Sequence, residues 1–379
     1  HLGWAKPFRP QRHGFDVFFG TPYPNNFGEW RVGQPFTQAA AFEPYPLLED
    51  DTVIEAPVDQ NHLTRRLTER AIRFIRENRA RSFFLFLPHV MPHIPQFASP
   101  AFAGKSKGGL YGDSIEEIDW STGAILDTLK ELGLDERTLV VFSSDNGAGT
   151  KAAHLGPVPA DLPYYAPERA NGGSNGPLRA GKGSTFEGGV RVPFIVRWPG
   201  RIAPRGDVAA VVSQMDLFPT LAALAGAPLP SDRVIDGRDL GPLLLTGRPL
   251  PVRPLFHYFG YQAQAVREGK WKLFVAVTAR PSPRPPSLWW DHLPNLFNNQ
   301  HRLLAAPELY DLESDLGETT NLAAQHPEVV ARLTAVVREF DTALQHNKRP
   351  LQIEPGPPPP APGTIRTADT DLSRYRLRP

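Results

Sequence analysis

Leu139-Val140-Val141-Phe142-Ser143-Ser144-Asp145-Asn146-Gly147 is the stretch on which the reading of this chain turns. Four apolar residues without interruption are what a strand needs when both of its faces are covered. The run then becomes polar and closes on Asn146-Gly147, a pair suited to a turn. Two hard oxygen donors, the Asp145 carboxylate and the Asn146 amide, are thereby carried at the carboxyl end of a buried strand. That is where open α/β sheets place their ligands. Taken alone, the pair serves equally as part of a cation's oxygen shell or as a cap for the following turn. Its place at a strand end favours the metal.

Working outward, the same alternation of helix and buried strand recurs. Leu63, Leu67, Ala71, Phe74 and Ile75 share one helical face, which predicts a helix over 61–78. Residues 83–87 form an uninterrupted apolar run, a second expected strand, and 113–132 a second amphipathic helix, through Ile115, Ile118, Ile125, Leu129 and Leu132. Gly133 is placed to stop that helix. Residues 194–198 read as a third strand, and Asp216 as the cap of a helix that runs to Ala225 before Gly226. Strand and helix in repetition imply a mostly parallel sheet flanked by helices, an α/β domain over residues 1–250. The first sixty residues read as loops.

Beyond residue 250 the pattern changes to short strands, at 255–258, 263–267, 271–275 and 308–312, followed by a helix over 327–345. This describes a small α+β subdomain, an antiparallel sheet with one covering helix, spanning 251–346. A Pro/Arg-rich insertion occupies 279–286, and the Pro-rich tail 347–379 reads as disordered.

Composition narrows the function. The 379 residues carry 41 basic and 40 acidic side chains, a formal net charge of +1, without the basic footprint of a nucleic-acid binder. No apolar run approaches the roughly 20 residues of a membrane-spanning helix. Cysteine is absent, so no disulfide, thiolate ligand or cysteine nucleophile lies within these residues.

Two further segments could carry chemistry. Pro88-His89-Val90-Met91-Pro92-His93-Ile94-Pro95 holds two histidines on a loop stiffened by three prolines. A fixed imidazole can act as general acid near neutral pH, a role open to either histidine, and His89 is read as a packed loop residue. Gly181-Lys182-Gly183 places a lysine between glycines, where the ammonium can act as a point charge. Glu187 and Arg191, four residues apart, read as braces of that loop, and His13, His154 and His257 as structural. Oxygen ligands for a cation beside a fixed positive charge suit a tetrahedral oxyanion, sulfate or phosphate, and so a hydrolase.

These segments resemble the sulfatase family, in particular its arylsulfatase and galactosamine-6-sulfatase group. The matching stretches are His1-Leu2-Gly3, His13-Gly14-Phe15-Asp16, His93-Ile94-Pro95, Ser144-Asp145-Asn146-Gly147, the run from Gly181 to Pro193, Asp216-Leu217-Phe218-Pro219-Thr220, Asp236-Gly237 and Glu308-Leu309-Tyr310-Asp311-Leu312. They keep the family's order along almost the whole chain. The resemblance implies an alkaline-phosphatase-like fold, a Ca2+ ion, and a formylglycine nucleophile made from Cys or Ser in a Cys/Ser-x-Pro-x-Arg motif. By position, Asp145 and Asn146 would be calcium ligands, Lys182 and His93 would hold the sulfate with His93 protonating the leaving oxygen, and His1 would assist turnover. The implied partner is a small-molecule or saccharide sulfate ester; a periplasmic or secreted location is compatible with the family, and the compartment is left open.

The departures are equally specific. The chain contains neither Cys nor Ser-x-Pro-x-Arg, and it lacks the early acidic pair that completes the family's calcium shell. The resemblance starts inside a motif at His1, which implies an N-terminally truncated sulfatase, inactive by itself. Pro24 stands where the family commonly has a polar group. The run Gly172-Gly173-Ser174-Asn175-Gly176-Pro177 resembles the galactosamine-6-sulfatase branch and points to sulfated sugars. Two alternatives stay open: a phosphodiesterase or phosphonate hydrolase of the same superfamily, and a non-catalytic homologue that binds sulfated glycans.

Overall fold

A computed structural model describes residues 6–25, 45–149, 172–259, 262–275 and 304–347. His1, the insertion at 279–286 and the Pro-rich tail beyond 347 lie outside the described residues. Those described fall into two compact units, one of residues up to Leu134 and one from Asp135 onward.

In the first unit, β1 (Phe19–Gly20), β2 (Leu47–Glu49) and β3 (Thr52–Glu55) form a small antiparallel sheet. Strands this short show too little periodicity to be seen in the sequence, which reads there as loops. Helix α1 (Leu63–Glu77) buries Leu63, Leu67, Ala71 and Ile75, an i, i+4 stripe along the expected face. Helix α2 (Gly109–Glu131) packs on it with a face unlike the expected one. Ser114, Glu117 and Ser121 are fully buried while Ile115 is 40% exposed. Thr68 Oγ1 sits 2.6 Å from Ser121 Oγ, so the seam between the helices is hydrogen-bonded as well as apolar.

The apolar run 83–87 joins no ladder among the described residues, which corrects the expected strand. Phe84 and Phe86 are 60% and 66% exposed, alternating with half-buried Phe83, Leu85 and Leu87. An apolar run marks a candidate strand; only a neighbouring strand in register makes it part of a sheet.

In the second unit, β4 (Val140–Ser143) pairs with β5 (Phe194–Arg197), preceded by the single helical turn α3 (Glu187–Val190). Their register runs from Val140↔Arg197 to Ser143↔Phe194, so the pair is antiparallel rather than parallel as expected. The cause is that the chain leaves β4 and enters β5 at the same end, where Gly147 N–H donates to Gly189 O. A parallel pair would need a crossover to the other end. Helix α4 (Leu217–Ala225) ends, as expected, on Gly226 in the left-handed region, and α5 (Gly241–Thr246) follows. Its expected cap is corrected: Ser213 caps the preceding 3-10 turn, and fully buried Asp216 accepts from Ser213 N–H and Arg238 N–H and pairs with Arg253.

The expected C-terminal antiparallel sheet is present, in order β6 (Leu255–Phe259), β7 (Gln262–Glu268), β8 (Trp271–Phe274), β9 (Glu308–Asp311), followed by α6 (Pro327–Asn347). Side chains alternate across it with a period of two. Val266, Leu273 and Leu309 meet Leu333 and Val337 of α6. Ala265, Phe274 and Tyr310, one residue along each strand, face the other way and enclose Phe186.

Candidate active site

The exit from β4 is pinned before it reaches its two oxygen donors. Ser144 Oγ donates to Asn146 O at 2.9 Å, and Gln214 Nε2 donates to Ser143 Oγ at 3.1 Å and also contacts Ser144 O. Asp145 is exposed and Asn146 half-buried. Gly147 is fully enclosed, and a Cβ built on it would lie 1.8 Å from Gly188 O. A Cβ on Gly188 would in turn lie 2.3 Å from Ala180 O. The glycines of both segments are required because the two stretches of backbone stack directly on one another. Gly181 is likewise enclosed, a Cβ on it falling 2.3 Å from Ala148 O, whereas Gly183 takes a left-handed φ of 82°.

Asn175 joins the two stretches. Its Oδ1 accepts from Ala148 N–H at 2.8 Å, and its Nδ2 donates to Ala148 O and to Ala180 O, both at 2.9 Å. Lys182 N–H donates to the same Ala148 O at 3.0 Å, and Gly188 N–H to Arg179 O at 2.8 Å. Ala180, just before Gly181-Lys182, takes a left-handed φ of 58°, a conformation that costs a non-glycine residue about 1–2 kcal/mol and persists where its surroundings hold it. The main chain of Lys182 is therefore fixed to the strand exit that carries Asp145 and Asn146. Burial pushes the Lys182 ammonium below its ordinary pKa, and the Asp145 carboxylate opposes that shift.

The donor set suits part of a hard-cation shell. Asp145 and Asn146 present two oxygens, whereas calcium takes six to eight. Among the described residues no group of three or more His, Cys, Asp or Glu could hold a metal ion. The fit is to two positions of a shell.

His93 lies in the first unit, on a loop with cis peptide bonds before Pro92 and Pro95. Its Nδ1 is 2.6 Å from Ile94 O; a carbonyl only accepts, so Nδ1 carries the hydrogen. When the ring is an imidazolium, Nε2 is the second donor. Asn25 Nδ2 donates to Pro95 O at 2.9 Å and Gln96 Nε2 to Pro92 O at 3.2 Å, which hold the loop. His89 fits its packed reading: Nε2 meets Ser121 Oγ at 3.1 Å, and burial pushes its pKa down to about 4.

Asp145, Asn146 and Lys182 thus belong to one unit and one hydrogen-bonded arrangement, His93 to the other unit, and His1 lies outside the described residues. The sequence reading missed Asn175 and Gln214 as supports; an amide that clamps backbone has no local signature. Glu187 does brace its loop, but through Lys272 at 2.9 Å and Arg267 at 2.9 Å rather than through the Arg191 side chain.

Comparison with known proteins gives a consistent result. The family model described as Sulfatase matches residues 1–227, that described as the C-terminal region of aryl-sulfatase matches 251–356, and that described as N-sulphoglucosamine sulphohydrolase, C-terminal, matches 181–276. The chain is 43% identical over 315 residues to steryl-sulfatase of Mus musculus, covering 82% of this chain and 48% of that protein. It is 35% identical over 377 residues to N-acetylgalactosamine-6-sulfatase of Mus musculus (93% and 67%), and 35% identical over 391 residues to arylsulfatase A of Bos taurus (95% and 71%). It spans about half the length of the steryl-sulfatases of mouse and rat, 48% and 52%. Among solved structures, a protein from work on glycosaminoglycan metabolism by Bacteroides thetaiotaomicron superposes with a TM-score of 0.68 at 28% identity, over 90% of this chain and 75% of that one. The PsFucS1 sulfatase of Pseudoalteromonas sp. does so with 0.74 at 23%, over 92% and 70%. The fold is alkaline-phosphatase-like.

Proposed function

Since the chain belongs to the sulfatase family, we propose that it forms the sulfate-binding part of a sulfuric ester hydrolase. The observation that carries this reading is Lys182, whose backbone is tied to the strand exit bearing Asp145 and Asn146 through Ala148 and Asn175. An ammonium whose main chain is held beside oxygen ligands for a cation matches the charge of a sulfate monoester, whose negative oxygens must be neutralised before the bond to the alcohol breaks.

The roles assigned are those that the family resemblance implies by position. Lys182 binds and orients the sulfate group. Asp145 and Asn146 would hold Ca2+, which supplies Lewis-acid polarisation of a sulfate oxygen. By the resemblance, His93, whose Nδ1 hydrogen is held on Ile94 O, would donate from Nε2 in its protonated form to the leaving alcohol oxygen. His1 would assist turnover. The family's formylglycine nucleophile requires a Cys/Ser-x-Pro-x-Arg motif, and these 379 residues hold no such motif. Within these residues the groups named above would bind the sulfate group, and none of them supplies that nucleophile.

The substrate we favour is a sulfated saccharide. N-acetylgalactosamine-6-sulfatase is among the relatives of which this chain covers most, and the solved structure at 28% identity comes from work on glycosaminoglycan metabolism. The test is calorimetric titration of the chain with inorganic sulfate in the presence of Ca2+, next to turnover of p-nitrophenyl sulfate and p-nitrophenyl phosphate. Sulfate binding that Lys182→Ala weakens at least about tenfold, about 1.4 kcal/mol, is the expected result, with turnover of neither ester. Binding indifferent to Lys182→Ala would overturn the assignment of Lys182. Turnover of the phosphate ester would favour a phosphohydrolase of the same superfamily.

A further inference from the structure

The C-terminal sheet has one face on α6. Its other face carries an ionic cluster that the roles above leave unused. Lys272, fully buried on β8, lies 2.9 Å from Glu187 Oε1 and 3.0 Å from Glu318 Oε1. Arg267 on β7 pairs with Glu187 Oε2 at 2.9 Å. Glu187 and Glu318 are themselves 1% and 0% exposed. Glu318 Oε2 accepts from Glu187 N–H at 2.8 Å, and Arg179 Nη1 donates to Glu318 O at 2.6 Å. Thr185 Oγ1 donates to Gln264 Oε1 at 2.8 Å, and the Arg179 guanidinium lies 4.1 Å over the ring of Phe186, which packs on Ala265, Phe274 and Tyr310. Apart from the Lys272–Glu318 pair, each of these contacts has a partner in the stretch from Arg179 to Glu187, which contains Lys182.

Stability does not explain the choice of charges. Taking an ion out of water costs several kcal/mol, and a buried ion pair is often no better than apolar residues of the same volume. What a buried, balanced cluster of two cations and two carboxylates does is enforce one geometry, because any shift leaves a charge uncompensated. Glu318, like Ala180, holds a left-handed φ (51°), so non-glycine residues on both sides of the cluster sit in a conformation that only their contacts maintain.

We propose that Lys272 is a positioning residue: with Arg267 and Glu318 it bolts Glu187, and through Glu187 the loop carrying Lys182, to the face of the C-terminal sheet opposite α6. The sheet is then the mount of the sulfate-binding lysine, and its effect on sulfate rests on the reading of Lys182 given above.

The test uses the full chain and two readouts. In hydrogen exchange followed by mass spectrometry, Lys272→Met raises exchange of the 181–190 amides at least about tenfold relative to β4 and β5. Glu318→Gln, which keeps the side-chain volume, does the same more weakly and covers the case in which Lys272→Met fails to fold. Lys272→Arg, which keeps a cation between the carboxylates, retains more protection than Lys272→Met. Unchanged exchange in Lys272→Met and Glu318→Gln overturns the mount. In titration with inorganic sulfate well below the melting temperature, Lys182→Ala and Lys272→Met both lose at least about tenfold in affinity. If Lys182→Ala weakens sulfate and Lys272→Met melts lower yet binds as the parent does, the role of Lys272 is structural only and the inference is refuted. If Lys182→Ala leaves the affinity unchanged, the functional reading fails, and the exchange result alone decides the mount.

Discussion

Acidification should weaken the second unit through His257, and the loss can be worked from its surroundings. His257 pairs with Ala265 across β6 and β7, on the sheet face that carries Lys272. Its Nε2 is enclosed without a hydrogen-bond partner. Burial pushes its pKa from 6.5 down to about 3; Lys272 and Arg267 add to the shift and Glu187 opposes it. A histidine with a depressed pKa is held neutral by the fold. Its stability contribution is complete above pH 6.5 and is lost as pH falls toward about 3, because in that window the unfolded chain binds a proton the folded chain refuses. At pH 5 the unfolded imidazole is almost fully protonated and the folded one is not, which amounts to about 2 kcal/mol relative to pH 7.5. Denaturant unfolding of the parent and of His257→Gln at the two pH values isolates this part, since the other titrating groups are common to both. The parent should lose about 2 kcal/mol more than the variant. Equal losses, or an imidazole that titrates near 6.5 by NMR in the folded protein, would refute the account.

Two further substitutions probe the arrangement around Lys182. Asn175→Ala removes three hydrogen bonds to the main chain of Ala148 and Ala180; it should cost about 2–4 kcal/mol in chemical denaturation and weaken sulfate binding by calorimetry, with Asn175→Asp intermediate. Gly147→Ala would drive a methyl group to 1.8 Å from Gly188 O. Neither backbone can yield without breaking the contact between the strand exit and the Lys182 loop, so the variant should lose about 3 kcal/mol or more in thermal unfolding, whereas Gly123→Ala, in open space on α2, should be neutral or stabilising.

Several of these features were open to a reader of the sequence. The strand at 140–143 announced itself by four apolar residues, and its polar exit by the switch at Ser143-Ser144. The stripe Leu63, Leu67, Ala71, Ile75 made α1 legible, since every core contact repeats at helical spacing. Helix α2 was found but its inner face was misread, because Ser114, Glu117 and Ser121 look like solvent-facing residues until Thr68 and Ser99 N–H appear opposite them. Lys182 was singled out by its motif, but its supports were not: Asn175 acts on backbone, and Lys272 meets Glu187 across 85 residues of sequence. No window of sequence contains both halves of such a contact.

By itself the sequence determined the local states: which segments carry an apolar helical face, where helices stop, and that two hard oxygens follow an apolar strand, although that strand is not covered on both faces as expected, since Phe142 is 37% and Ile195 of the neighbouring β5 59% exposed. These depend on neighbours a few residues apart. Only the tertiary structure decided the pairing of β4 with β5, the absence of a ladder partner for the run at 83–87 among the described residues, and the use of both faces of the C-terminal sheet, one for α6 and one for the Lys182 loop. It also showed that the glycines at 147 and 188 are there for contact. The physical reason is common to all four. Hydrogen-bond partners, counter-charges and steric limits are supplied by segments far away in the chain, and they exist only once the chain has folded.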